Sequence, residues 1–169
     1  MNKFYITTPL YYVNDQPHIG HAYTTILADV LARYHRSLGD EVFFLTGTDE
    51  HGQKIQQTAE KRGVDPKVHA DEYVTHFTSM WEKLHINYDG FIRTTEKRHT
   101  DRVNDVLTDF YERGEFYMAE YEGLYSVSEE RFVTEKEVEE GEFRGVIRLK
   151  EKNYFFRMSK YQDALIKHI

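Results

Sequence analysis

Cysteine is absent from all 169 residues. That excludes disulfides, thiolate nucleophiles and thiolate zinc sites, so any metal would need histidine and carboxylate ligands. No apolar run approaches the ~20 residues needed to cross a bilayer, and no charged-then-apolar segment opens the chain. Positive charge is not in surplus either. Twenty-two Lys and Arg against 29 Asp and Glu give a net charge of -7, which argues against non-specific nucleic-acid binding and leaves room only for a local contact. Repeats and low-complexity tracts are missing. What remains is the expectation of a soluble protein without membrane contact, in the cytoplasm or an organellar matrix. With 40% hydrophobic and 15% aromatic residues, the chain can bury one ordinary core and carry a small insertion.

The first fifty residues read as strand, helix, strand. Residues 3–8 and 41–46 are short runs rich in β-branched and aromatic residues, of the kind buried in parallel sheets. Between them Ile19, Tyr23, Ile26, Leu27, Val30, Leu31, Tyr34 and Leu38 recur at helical spacing until Gly39, which predicts one helix between the two strands. A right-handed βαβ unit makes the strands parallel and gathers ligands at their carboxyl ends. Segments 9–21 and 46–52 both fall at that edge.

Further along, Asp65-Pro66 predicts a capped helix start, followed by Ala70, Tyr73, Phe77, Met80, Trp81 and Leu84 at helical period. Residues 91–94 read as a strand. The next helix carries Val103, Val106, Leu107, Phe110 and Tyr111 and stops at Gly114. From 116 to 158 the texture changes to four short runs, "FYMAEY", "GLYSV", "GVIRLK" and "NYFFRM", which predict an inserted antiparallel β region. It holds nine glutamates between Glu120 and Glu142. Ser159 and Gln162 read as a capping box for a last helix, with Tyr161, Leu165 and Ile169 on one face. Because that pattern breaks off at the final residue, the expectation is of a helix cut short and a chain that is part of a larger protein. The predicted organisation is therefore 1–115, a Rossmann-like α/β region; 116–158, an insertion; and 159–169, the start of a helix.

The segment "PLYYVNDQPHIGHAYTT" places His18, Gly20 and His21 at the junction of strand edge and helix. A helix N-terminus offers unpaired N–H groups and partial positive charge, a glycine permits close approach, and histidines at i and i+3 share one side of the first turn. Donors so placed suit charge stabilisation at a transferring phosphoryl group. The plainer reading is that the histidines cap the helix or pack in the core, and for two histidines alone it would be preferred. Position at a strand end with Gly20 between them favours the phosphate reading. A metal held by His18, His21 and His51, with Asp49 nearby, is the weaker alternative because it leaves Gly20 unexplained.

His18-Ile19-Gly20-His21 resembles the HIGH signature of class I aminoacyl-tRNA synthetases. Its surroundings narrow the likeness to the methionyl-tRNA synthetase family: "TTPLYYVNDQPHIGHAYTT", "FFLTGTDEHGQK", "FIRTTEKRH", "YEGLYSVSEERF" and "NYFFRMSKY" are similar to that family in order, over essentially the whole chain. The resemblance implies ATP-dependent activation of L-methionine to methionyl-adenylate and transfer to tRNA(Met), with ATP and Mg2+ as substrate complex. It implies that His18, Gly20 and His21 handle the phosphates, that Leu10 and Tyr12 line the methionine pocket and that Asp49 pairs with the substrate ammonium. An apolar wall and an aromatic ring suit a thioether, and a carboxylate at a strand end suits a cation. Core packing for Leu10 and Tyr12, and helix capping for Asp49, are the competing structural roles.

Two departures from the family accompany the likeness. Ser126 and Glu129 stand where many members carry a Cys-x-x-Cys zinc knuckle, so a zinc-free insertion is expected. The other active-site half, the KMSKS loop and the anticodon-binding region would all lie beyond residue 169. Arg157-Met158-Ser159-Lys160-Tyr161 imitates that loop by letters, but Ser159 reads as the helix cap. A small HxGH nucleotidylyltransferase is the alternative enzyme, sharing the phosphate site without requiring the β insertion. An inert folding module of the synthetase is the non-enzymatic alternative.

Overall fold

A computed structural model describes residues 2–129, 131–141, 143 and 145–169. Strands β1 (Lys3–Thr7), β2 (Tyr11–Tyr12), β3 (Glu41–Asp49) and β4 (Gly90–Arg93) form a parallel sheet in which β3 pairs with the other three. Helix α1 (Ile19–Ser37) connects β2 to β3, while α2 (Gln53–Arg62) and α3 (Pro66–Lys83) connect β3 to β4. The second sheet is antiparallel, in the order β6 (Arg131–Val133), β5 (Phe116–Ser126), β7 (Val146–Phe156). Helices α4 (Lys97–Glu112), α5 (Glu135–Glu140) and α6 (Gln162–His168) complete the described elements. The chain is thus a mixed α/β protein with a Rossmann-like parallel sheet and a separate antiparallel one. Two compact units divide at Asn104/Asp105, within α4, whereas the sequence changes texture only at residue 116.

Several expectations hold. Asp65 caps α3, its side chain accepting from the Lys67 N–H with Pro66 at the first helical position. Ala70, Phe77 and Trp81 are buried together with Tyr11, Val13, Ile55 and Val74.

The structure corrects others. The large apolar residues that mark α1 in the sequence are not the face it buries: its buried residues are Thr25, Ala28, Asp29 and Ala32, while Ile19, Tyr23, Leu27, Val30 and Tyr34 are at least half exposed. The small face permits close approach of helix to sheet, where Ala28 and Ala32 meet Phe44. Polar anchors fix that choice: Asp29 accepts the Asn87 N–H at 2.9 Å, and Arg33 donates to the His85 carbonyl. On the opposite face of β1 and β3, Tyr5 and Phe43 are exposed.

In the insertion, the four short runs are two strands of 11 residues, β5 and β7, paired from Phe116↔Phe156 to Ser126↔Val146. Gly123 does not interrupt β5. The expected Ser159–Gln162 capping box is absent. Met158–Tyr161 form a 3-10 turn, and Tyr161 precedes α6 without a side-chain cap. Contacts to Glu115 set this geometry: its carbonyl accepts the Arg157 N–H at 2.9 Å, and its carboxylate pairs with Lys160 at 2.5 Å. Lys160 is therefore engaged within its own unit, and that pairing, not a Ser159 cap, separates this stretch from a free phosphate-clamping loop.

Candidate active site

The residues singled out at 10–21 and at 49 all lie in the first unit, at the carboxyl end of the parallel sheet. What gathers them is the short β2 pairing, which the sequence reading missed. Tyr11 is opposite Thr48 and Tyr12 opposite Asp49 in parallel register, so two segments 37 positions apart meet at one edge. Alternation along a strand sends neighbouring side chains to opposite faces. Tyr11 accordingly enters the core, 6% exposed, with its hydroxyl 2.8 Å from the Thr25 hydroxyl, whereas Tyr12 is half-buried. Leu10, directly before β2, is 38% exposed.

Beyond Tyr12 the chain is tied down by His69, a fully buried residue of α3 that sequence reasoning passed over. Its Nε2 donates to the Val13 carbonyl at 2.9 Å, and its Nδ1 accepts from Arg62 at 2.7 Å. That anchor fixes the loop leading to His18.

At the start of α1 the two histidines cap the helix reciprocally. His18 Nδ1 accepts the Gly20 N–H, and His21 Nδ1 accepts the His18 N–H, each at 3.1 Å. The rings stack with centroids 3.9 Å apart. This settles the tautomer by hydrogen-bond logic: a neutral imidazole that accepts at Nδ1 carries its proton on Nε2. Both rings therefore offer an Nε2–H donor, beside the first-turn N–H groups that lack intrahelical acceptors. Burial, and then the neighbouring His18, push the His21 pKa down from its ordinary value, which favours the neutral ring. Capping and phosphate donation, set against each other by the sequence, are compatible because they use different nitrogens.

Gly20 acquires a more specific reason. A β-carbon there would stand 2.9 Å from His18 Cε1 and 3.1 Å from His18 Nδ1; the group that approaches Gly20 closely is the His18 ring. Gly20→Ala is expected to displace that ring while leaving helix stability within about 1 kcal/mol, because alanine's higher helix propensity offsets the weakened cap. The expected result is a shifted His18 ring, read from its NMR signals, with an unchanged thermal midpoint. A large loss of stability would contradict this account.

Asp49 ends β3 and is followed by Glu50, His51 and Gly52. Gly52 sits at φ 115, in the left-handed half of backbone space, and a β-carbon there would lie 3.0 Å from the Tyr12 hydroxyl. The turn therefore needs glycine both for conformation and for contact with Tyr12. Glu50, 4% exposed, accepts from Thr48 at 2.7 Å and from Arg93 at 2.6 and 3.0 Å, and also from Thr95. Burial raises its pKa, but the hydrogen bonds from Arg93, Thr95 and Thr48, with the Arg93 charge, outweigh this and hold it below the usual glutamate value. Arg93 also reaches Asp71 on α3 at 2.6 Å. Neither Glu50 nor Arg93 was singled out from sequence, though both lie in the quoted segments "FFLTGTDEHGQK" and "FIRTTEKRH". Among the described residues no cluster of three His, Asp or Glu side chains could hold a metal ion, and His51 instead lies with its Nε2 3.3 Å from the Thr94 carbonyl.

The family model described as tRNA synthetases class I (M) matches residues 4–142. The chain belongs to that family. It is 50% identical over 178 aligned positions to the methionine–tRNA ligase of Streptomyces coelicolor, covering 98% of this chain and 33% of that protein. The methionine–tRNA ligase of Thermotoga maritima is 51% identical over 174 positions, covering 98% and 28%. The solved Mycobacterium tuberculosis methionyl-tRNA synthetase in complex with methionyl-adenylate matches with a TM-score of 0.90 at 40% identity, over 99% of this chain and 35% of that one. A leucyl-tRNA synthetase ternary complex matches at 21% identity with a TM-score of 0.80, which concerns the class I fold alone. The chain spans about a third of the length of the curated relatives it matches.

Proposed function

We propose that this segment supplies the HIGH-motif half of a methionine–tRNA ligase active site: ATP-dependent activation of L-methionine, followed by transfer to tRNA(Met). The observation that carries the reading is the pair of capping histidines whose Nε2–H groups are both left for a ligand at the start of α1. The methionine carboxylate attacks the α-phosphorus of ATP, a new O–P bond forms, and the α–β bridging P–O bond breaks to release pyrophosphate. His18 and His21 donate to phosphate oxygens as negative charge develops, Gly20 lets the His18 ring lie over the helix end, and Mg2+ enters with ATP. Leu10 and Tyr12 would flank the methionine side chain, and Asp49 would hold its ammonium. The register that sets Tyr12 beside Asp49 supports this, because it brings an aromatic ring and a carboxylate to one edge. The cytoplasm is the proposed location.

The side chains at the knuckle position support an insertion without zinc. At the knuckle position the fully buried Ser126 hydroxyl accepts the Glu129 N–H at 3.2 Å and lies 3.1 Å from the Ser128 hydroxyl. A hydrogen-bonded turn thus stands where thiolates would be needed, and a zinc-free insertion is proposed.

A full-length synthetase carrying this segment should catalyse methionine-dependent exchange of pyrophosphate into ATP. Exchange driven by phosphopantetheine and not by methionine would favour the nucleotidylyltransferase alternative and reject this one. Stoichiometric zinc in that protein, with loss of stability on chelation, would refute the zinc-free insertion.

A further inference from the structure

Directly after β4, Thr94 bonds to each residue of the run Thr48 to His51, which includes Asp49 of the proposed methionine site. Its own position is fixed by the sheet: the Thr94 N–H donates to the Thr48 carbonyl at 3.2 Å, carrying the β3–β4 pairing one residue past the strand. It is buried, at 8% exposure. The Thr94 hydroxyl oxygen accepts the Glu50 N–H at 2.8 Å, and the hydroxyl donates to Asp49 Oδ1 at 3.3 Å. Its carbonyl accepts from His51 Nε2.

We propose that Thr94 is a positioning residue for recognition of the substrate ammonium, acting by orienting the Asp49 carboxylate; this rests on the assignment of Asp49 made above. A hydroxyl has one proton and two lone pairs. Here one lone pair is committed to the Glu50 N–H, which leaves the proton directed at Asp49 Oδ1. A donor on Oδ1 holds the carboxylate in one rotamer, so that Oδ2 is left for a cation. The neighbouring Thr95 does a different task, since its hydroxyl donates to Glu50 Oε2. One threonine thus orients the ligand-facing carboxylate, and the next one satisfies the buried carboxylate beneath it. The carbonyl bond to His51 holds that ring on the same turn, so the Asp49-Glu50-His51 run is pinned from a single residue just past β4.

The test uses a full-length synthetase carrying this segment, with active-site titration to count competent molecules. Thr94→Val removes the hydroxyl at nearly constant volume, and Thr94→Ser retains it. At 3.3 Å the bond is long for O–H···O, so the valine variant is expected to raise the dissociation constant for methionine about three- to tenfold. The Michaelis constant for ATP should not follow it, and the serine variant should bind methionine as the parent does. On an Asp49→Asn background, itself weaker in methionine binding, Thr94→Val should add no further loss. Normal methionine binding by Thr94→Val beside an impaired Asp49→Asn would overturn the proposal, as would equal losses for methionine and ATP, which would mark a purely structural role. Normal binding by Asp49→Asn as well would show instead that the assignment of Asp49 had failed.

Discussion

Replacing His21 with asparagine in a full-length synthetase carrying this segment is expected to slow methionyl-adenylate formation about 10²–10³-fold while leaving methionine affinity nearly unchanged, the size seen when one oriented donor to a transition-state oxyanion is lost. The structure makes this substitution selective. Asparagine Oδ1 stands where His21 Nδ1 accepts the His18 N–H, so the reciprocal cap persists while the outward Nε2–H donor disappears. Glutamine does the reverse, keeping a donor at the distance of Nε2 and losing the inner acceptor, and it should retain more activity than asparagine. Because the lost interaction is made chiefly in the transition state, the defect belongs in the rate and not in ground-state binding. Pre-steady-state adenylate formation and equilibrium dialysis with methionine separate the two. A His21 variant whose entire defect lies in methionine binding would place this residue at the wrong end of the substrate.

Arg93→Leu is expected to destabilise the chain by about 3–5 kcal/mol, because it strands the buried Glu50 carboxylate without its partner. The pair is bidentate, at 2.6 and 3.0 Å, and Glu50 is 4% exposed. The pH dependence has a definite sign. In the parent, the folded Glu50 pKa lies below its unfolded value of about 4.3, so its contribution is present above that pH and is lost as pH falls through the folded pKa. Without Arg93, burial has far less to oppose it and the folded pKa moves up. The penalty of Arg93→Leu is therefore largest at pH 7 and shrinks on acidification, as the stranded carboxyl takes up a proton. Urea denaturation at neutral and acid pH reads this out. A pH-independent penalty would mean that lost packing of the arginine stem, not charge, sets the cost. Joint replacement by Glu50→Leu and Arg93→Leu should recover much of the loss.

Much of the fold was legible because it rests on local rules. Asp65-Pro66 announces α3 through a side-chain acceptor and a fixed φ, both of which act within two residues. Strand β1 and the start of β3 follow from short β-branched and aromatic runs. Helix α2 escaped notice because only Ile55 and Ala59 are buried on it, too few to show a period over 10 residues. Strand β2 escaped because two residues carry no pattern at all. The insertion was read as antiparallel from composition, but turn signals such as Gly123 overstated the number of breaks. A glycine permits a turn without requiring one, and here pairing with Leu149 keeps it in the strand.

What the sequence determined by itself is the chemistry available at the α1 junction: two imidazoles, a glycine and a helix N-terminus, adjacent in the chain and so adjacent in space. It determined the parallel βαβ character as well, since the period of each element and the handedness of the crossover are set by backbone sterics. Tertiary structure alone decided the rest, because it depends on which distant groups meet. The β2–β3 register set Tyr12 beside Asp49. Ring geometry over Gly20 turned the two histidines into mutual caps and so selected the Nε2–H tautomer. Sheet packing chose the small face of α1 over its larger apolar stripe, a choice that periodicity cannot make: it reports that a helix has two faces, whereas close approach and the anchors at Asp29 and Arg33 determine which one the sheet takes.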